Sequence, residues 1–249
     1  MTSPRLQRLC SVVSREDVSL TRQIVILCGG LGSRLGHLTD AIPKSMISIN
    51  NVPFLEILIK QLIGQGFDNF LLLTGYKGDV IQNYFRDGSN LSVSIVYSQE
   101  PQPLGTGGAI KLARPKIHER FWLLYGDIYR NFNYYSMDKL DSNYLGVYEY
   151  SQGLSTIRSP NISLDFVNNL IEGYKKDNND MNYRYVDAGF GLFTKDTIDL
   201  LPSGVSNWES TVYPILAEGS NLRPLIVDRD FYDIGNLEDL QKTRLKLLL

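Results

Sequence analysis

Two cations behind a run of glycines carry the first chemistry legible in this chain. The stretch ILCGGLGSRLGHLTDAIPKSM, residues 26–46, leaves an apolar run at Cys28 and turns through Gly29, Gly30, Gly32 and Ser33. It then presents Arg34 and, ten residues on, Lys44. Glycines let backbone N–H groups approach phosphate oxygens closely. Arg34 offers a planar fork and Lys44 a compact positive charge. Two cations on one loop suit a substrate with several phosphates. The plain alternative is a solvated surface loop.

Two familiar phosphate cradles do not fit. A P-loop needs GxxxxGK[ST], and Lys44-Ser45 follows Pro43 rather than a glycine. A dinucleotide fingerprint needs GxGxxG. Gly30 and Gly32 fit, but Leu35 holds the third position, and Thr74-Gly75 ends the second strand where an acid should hold the ribose.

The elements that must position this loop alternate. Gln23–Cys28, NFLLLTG at 69–75, LSVSIVYS at 91–98 and RFWLLYGD at 120–127 read as buried strands. PFLEILIKQLIGQG at 53–66, KGDVIQNYFRDG at 77–88 with Asp79 as N-cap, and GTGGAIKLARPKI after its glycine turn read as helices. Strand and helix in turn predict an α/β fold, a mainly parallel sheet flanked by helices. Ligands in such sheets bind beyond the carboxyl ends of the strands. Gly29–Arg34, Gln99–Gly108 and Asp127 are therefore expected to share one crevice. After about residue 140 the texture changes to short tyrosine-rich strands (NYLGVYEY, NISLDF, LIEGYKK, YRYVDAGFGLF), expected as a smaller β region over that crevice. NWESTVYPILAEG and NLEDLQKTRLKLLL read as closing helices.

Composition narrows the class. The 249 residues are 43% hydrophobic and 21% charged, ordinary for one large globular domain, and the formal net charge of −2 gives no reason to expect nucleic-acid binding. Two cysteines, Cys10 and Cys28, form neither a zinc motif nor a disulfide framework, which fits a reducing, cytoplasmic compartment. No apolar run approaches the ~20 residues of a membrane span. Residues 1–22 read as an N-terminal extension before the first strand.

The loop at 29–46 resembles the GGxGTRLxPLTxxxPKxM signature of the sugar-1-phosphate nucleotidyltransferases, with Ser33 for threonine and His37 where proline is usual. Further segments follow in family order. EPQPLGTGGAI at 100–110 is similar to the base-binding segment, and LLYGD at 123–127 to the LxxNGD strand end. YVDAGFGLF at 185–193 is similar to the NAGxYxF sugar segment, WESTVYPILAEG to LExxxxPxLxxxG, and FYDIGNLEDL at 231–240 to WxDIGTPEDY. The resemblance covers roughly residues 23–245 and implies a Rossmann-like nucleotidyltransferase domain over 23–249.

That family joins a nucleoside triphosphate to a sugar 1-phosphate, giving an NDP-sugar and pyrophosphate. The resemblance implies Arg34 on the β/γ-phosphates and Lys44 between the α-phosphate and the incoming phosphate. Asp127 and Asp233 would hold Mg²⁺, which takes one or two carboxylates beside phosphate oxygens and water. Gln102, Pro103, Gly105, Thr106 and Gly107 would frame the base, with Gly75 and Tyr76 beside them. Asp187 and Gly189 would face the sugar. The sugar-phosphate lysine has Lys176 as first and Lys175 as second candidate. PLGTGG resembles the guanylyl branch, which includes mannose- and heptose-1-phosphate guanylyltransferases, so GTP and D-glycero-D-manno-heptose 1-phosphate are the expected substrates. A cytidylyl- or uridylyltransferase, a silent NDP-sugar-binding regulator and a dehydrogenase domain are the alternatives. A homo-oligomer stays open.

Overall fold

The computed structural model describes residues 23–30, 32–137, 139–150, 159–175, 182–228 and 231–247. The expected extension 1–22 and Lys176 lie outside the described residues. Strand β1 (Gln23–Leu27) leads through a 3₁₀ turn to the short ribbon β2 (Ser48–Ile49) and β3 (Val52–Pro53). Helix α1 (Phe54–Ile63), β4 (Asn69–Thr74), α2 (Gly78–Phe85), β5 (Ser94–Gln99), α3 (Gly105–Ala113) and β6 (Arg120–Tyr125) follow. The second half holds β7 (Ile128–Arg130), β8 (Tyr144–Glu149), β9 (Ile162–Asp165), β10 (Leu170–Tyr174) and β11 (Tyr185–Thr194). It closes with α4 (Trp208–Glu218), β12 (Arg223–Ile226), β13 (Phe231–Asp233) and α5 (Leu237–Lys246).

The strand alternation expected from the apolar runs is present. Strands β5, β4, β1 and β6 lie side by side and parallel, and β11 joins antiparallel at the β6 edge. Period-two side chains split the core between the two faces. Ile24 and Ile26 pack with α1 residues such as Leu58 and Leu62, while Val25 packs with Ile110 of α3 and Val212 of α4. Both faces are covered, so these strands read as unbroken apolar runs.

The tyrosine-rich strands join the main sheet, β11 pairing with β6, β8 and β9, and β9 with β10. Two local expectations shift. Ser89–Leu91 is a 3₁₀ turn, and β5 begins only at Ser94. Asp79 sits in the first turn of α2 without capping it. Lys77 occupies the N-cap in a left-handed conformation, and the Gly78 N–H closes a turn onto Gly75 O at 3.0 Å. Helices α4 and α5 are capped by asparagine. Asn207 accepts from Ser210 N at 3.1 Å and Asn236 from Asp239 N at 2.9 Å.

A third, smaller core cluster matters most for the site. Leu35, one residue past Arg34, packs with Ile47, Phe54, Ile234 and Leu240. Ile234 is the residue after Asp233. One apolar contact set thus anchors the glycine loop and the Asp233 segment together.

Candidate active site

The carboxyl ends of the four parallel strands open onto one cavity of about 750 Å³. Backbone hydrogen bonds carry the ladder just past the strand ends: Cys28 N to Leu73 O at 2.8 Å, Gly126 N to Leu27 O at 2.9 Å, and Glu100 N to Thr74 O at 2.9 Å. Segments far apart in sequence are therefore held level with one another. The lining includes Gly29, Gly30, Lys44, Gly75, Tyr76, Gln102, Pro103, Gly105, Thr106 and Asp127. The chain reverses its winding direction between β1 and β6, the switch point at which open α/β sheets take ligands.

Lys44 and Asp127 meet at this cavity as an ion pair between Nζ and Oδ2, with side chains 14% and 28% exposed. Lys44 enters from a short 3₁₀ turn after Pro43, and Asp127 from the turn between β6 and β7. Asp233 is brought alongside by pairing of β13 with β7, which sets it opposite Ile128. The Ile234 N–H then donates to Asp127 O at 3.2 Å. Asp233 is half-buried, outside the cavity lining, and its Oδ1 accepts the Gly235 N–H. Among the described residues no group of three or more His, Cys, Asp or Glu side chains is placed to hold a metal ion. Asp127 and Asp233 are thus neighbours along the backbone, and one or two carboxylates are what a magnesium ion takes beside phosphate oxygens and water.

Two residues of this lining, Ser45 and Tyr125, carry hydroxyls that are buried with no hydrogen-bond partner among the described residues. Cys28 also lines the cavity. Burial and the nearby Asp127 charge push its thiol far up, so it stays protonated and serves as a small apolar group.

The base loop is fixed from behind. Gly105 adopts φ +72°, which favours glycine, and a Cβ there would collide with Ser206 O. The Gly107 N–H donates to Ser206 O at 3.0 Å, so Gly107 packs behind the cavity and does not line it. Thr106 accepts from Trp208 N and donates to Glu209 Oε2, both at 2.9 Å. Burial raises the Glu209 carboxyl above its ordinary range. Glu209 was not singled out from the sequence; an acid beside Trp208 in the first turn of α4 was the available signal.

The remaining expected residues lie outside the cavity lining. Gly32 caps the 3₁₀ turn Ser33–Thr39, and Ser33 and Arg34 are exposed on it. Asp187 is buried, and its Oδ1 accepts from Gly189 N at 2.7 Å. Gly189 packs against Ile128 and the cavity residue Tyr125. Lys175 is exposed, with its ammonium 5.7 Å from the Tyr183 ring centre.

Residues 23–144 match the family model described as nucleotidyl transferase. The chain is 45% identical over 107 residues to D-glycero-alpha-D-manno-heptose 1-phosphate guanylyltransferase of Campylobacter jejuni, covering 43% of this chain and 48% of that protein. It thus spans about half the length of that relative. It is 30% identical over 223 residues to mannose-1-phosphate guanylyltransferase of Mycobacterium tuberculosis, covering 86% of this chain and 61% of that protein. The crystal structure of HddC from Yersinia pseudotuberculosis complexed with GMP-PN superposes with a TM-score of 0.73 at 28% identity. That match covers 90% of this chain and 99% of that one. Sequence motifs, sheet topology and relatives converge on the nucleotidyl transferase family, whose model matches residues 23–144 of this chain.

Proposed function

We propose that this chain transfers a nucleotidyl group from a nucleoside triphosphate to a sugar 1-phosphate, releasing pyrophosphate. The observation that carries this reading is the Lys44–Asp127 pair at the cavity, with Asp233 on the neighbouring strand. Lys44 and Asp127 line the cavity beyond the parallel strands, which supports a triphosphate chain lying there. The relatives' names support GTP and D-glycero-D-manno-heptose 1-phosphate as substrates. We take residues 23–249 as one catalytic unit. We place it in the cytoplasm, a reducing compartment in which the buried Cys28 thiol stays free. No helix among the described residues is long and apolar enough to cross a membrane.

In this reading a sugar-phosphate oxygen attacks the α-phosphorus, and the bond to the bridging oxygen of the β-phosphate breaks. The protein's task is alignment and charge neutralisation. Lys44 sits between the α-phosphate and the incoming phosphate. Arg34 folds over the β/γ-phosphates and stabilises the leaving pyrophosphate. Asp127 and Asp233 would hold magnesium, which supplies further neutralisation of phosphate charge when bound. Gly75, Gln102, Pro103, Gly105 and Thr106 frame the base. Asp187 and Gly189 face the sugar, and one lysine, Lys176 as first and Lys175 as second candidate, meets its phosphate.

The test is pyrophosphate release by the purified protein, with Mg²⁺ or with EDTA, across the NTPs and a panel of sugar 1-phosphates. Metal-dependent release, fastest with GTP and the heptose phosphate, is expected. Faster release with CTP or UTP would reassign the nucleotide. NDP-sugar binding without release from any pair would make the chain a silent binder.

A further inference from the structure

Arg130, on β7, is a buried cation that none of the roles above uses. It is only 2% exposed. Its guanidinium rests against two rings, the central carbon 5.1 Å from the ring centre of Tyr148 on β8 and 4.7 Å from that of Phe231 on β13. Nε donates to the carbonyl of Ala188. That carbonyl sits in an interruption of β11. Asp187 pairs with Val147 of β8 and Gly191 with Leu145, so β11 takes extra residues there. Pairing with β6 begins only at Phe190, which leaves Ala188 and Gly189 between the two registers. Gly189 turns there at φ +77°, with its N–H on Asp187 Oδ1. Ile128, two residues before Arg130 and so on the same face of β7, packs against Gly189. The Arg130 carbonyl in turn accepts the Gln61 side-chain amide of α1. The interruption of β11 is thus held by β7.

We infer that Arg130 is a positioning residue for the sugar 1-phosphate, setting the aim of Asp187 and Gly189 through the Ala188 carbonyl. This rests on the nucleotidyl-transfer reading above and on the place it gives Asp187 and Gly189. Arg130 does not line the cavity and acts only through the strand it holds. Extra residues in one strand bend it and re-aim its side chains. The direction they take then depends on what holds the backbone that has left the ladder. An apolar side chain would fill the space against Tyr148 and Phe231 but would not hold that carbonyl. Burying a guanidinium is costly, and an apolar residue of similar volume often serves stability as well or better. Stability alone therefore gives no reason for an arginine here, whereas a donor aimed at Ala188 does. The base loop is fixed by other segments, at Ser206 and Glu209. A change at Arg130 thus bears on one substrate and spares the other.

The test uses two neutral variants of equal side-chain length. Glutamine places its amide nitrogen, and methionine its terminal methyl, where arginine has Nε. Arg130→Gln therefore keeps a donor for Ala188 O and Arg130→Met does not, while both lose the charge. KM for the sugar 1-phosphate and KM for the NTP are measured by pyrophosphate release, each with the other substrate saturating, beside thermal unfolding. Arg130→Met should raise KM for the sugar 1-phosphate ~10-fold, the value of one hydrogen bond from a charged donor. KM for the NTP should stay within ~2-fold, since a rise confined to one substrate marks lost binding of that substrate. Arg130→Gln should bring the sugar-phosphate KM back to within ~3-fold of native. An unchanged sugar-phosphate KM in Arg130→Met overturns the assignment. Equal rises in the two variants overturn it as well, because packing or charge would then be the cause and not the donor. So does a rise in Arg130→Met shared by both substrates. Should neither variant fold, Phe231→Leu removes one ring beside the guanidinium and leaves the donor. It should raise the sugar-phosphate KM alone by ~3-fold, and an unchanged value there also overturns the assignment. Should the native protein release no pyrophosphate from any pair, the nucleotidyl-transfer reading itself falls, and this role with it.

Discussion

Replacing Lys44 with alanine separates what the Lys44–Asp127 pair does for stability from what it does for turnover. The pair is neither fully buried nor freely solvated, with side chains 14% and 28% exposed. Removing one partner of a buried pair costs about 3–5 kcal/mol, and an exposed pair is worth roughly 0–1 kcal/mol. Asp127 keeps partial access to water, so the loss should fall near the lower range, at about 1.5 kcal/mol. In a chain of this size that corresponds to a Tm drop of roughly 3–6 °C. Most of that cost is the uncompensated Asp127 charge. The double variant Lys44→Ala/Asp127→Asn should therefore recover at least half of the lost Tm. Turnover behaves differently, because a positioned cation contributes to charge developing in the transition state. Removing such a donor lowers kcat by about 10²–10³-fold, and the double variant should recover none of it. The assays are thermal unfolding without nucleotide and continuous pyrophosphate release with magnesium. A double variant no more stable than Lys44→Ala would show that the two charges do not balance each other. Lys44→Ala retaining more than a tenth of native kcat would remove Lys44 from the phosphate path.

Two further outcomes are expected. Arg34→Ala should lower kcat/KM by ~10²-fold with Tm unchanged, because Arg34 is exposed and bears on the ligand rather than on the fold; an unchanged rate in the pyrophosphate assay would return it to an ordinary surface arginine. Glu209 has a folded-state pKa raised by burial, so its contribution to stability is complete below the ordinary value of 4.5 and is lost as pH rises through the higher folded value; the Tm of Glu209→Gln relative to the native protein should therefore climb as pH moves up from 4.5, and a pH-independent difference would refute the assignment.

The parallel half of the fold was legible because its strands are covered on both faces. Gln23–Leu27 and Phe70–Thr74 admit almost no polar residue, so strand identity and sheet class follow from burial alone. The shared crevice followed in turn, since parallel strands in one sheet put Gly29, Gly75 and Asp127 at one end. The start of α2 was not legible. Asp79 has the chemistry of a cap, but the turn from Gly75 to Gly78 begins the helix before Asp79 is reached. The antiparallel pairing of β7 with β13 was also out of reach, because three-residue strands carry too short a pattern to show register. The contact of Glu209 with Thr106 spans 103 residues, so the sequence could mark an acid beside Trp208 but not the partner that it meets.

The β7–β13 pairing also sets an order of events during synthesis. The parallel strands β1, β4, β5 and β6, and Asp127 after them, leave the ribosome well before Asp233 does. A nascent chain can therefore assemble its parallel sheet and its Lys44–Asp127 contact before Asp233 is made. Until β13 arrives, β7 lacks its antiparallel partner, and only that pairing brings Asp233 beside the turn that carries Asp127.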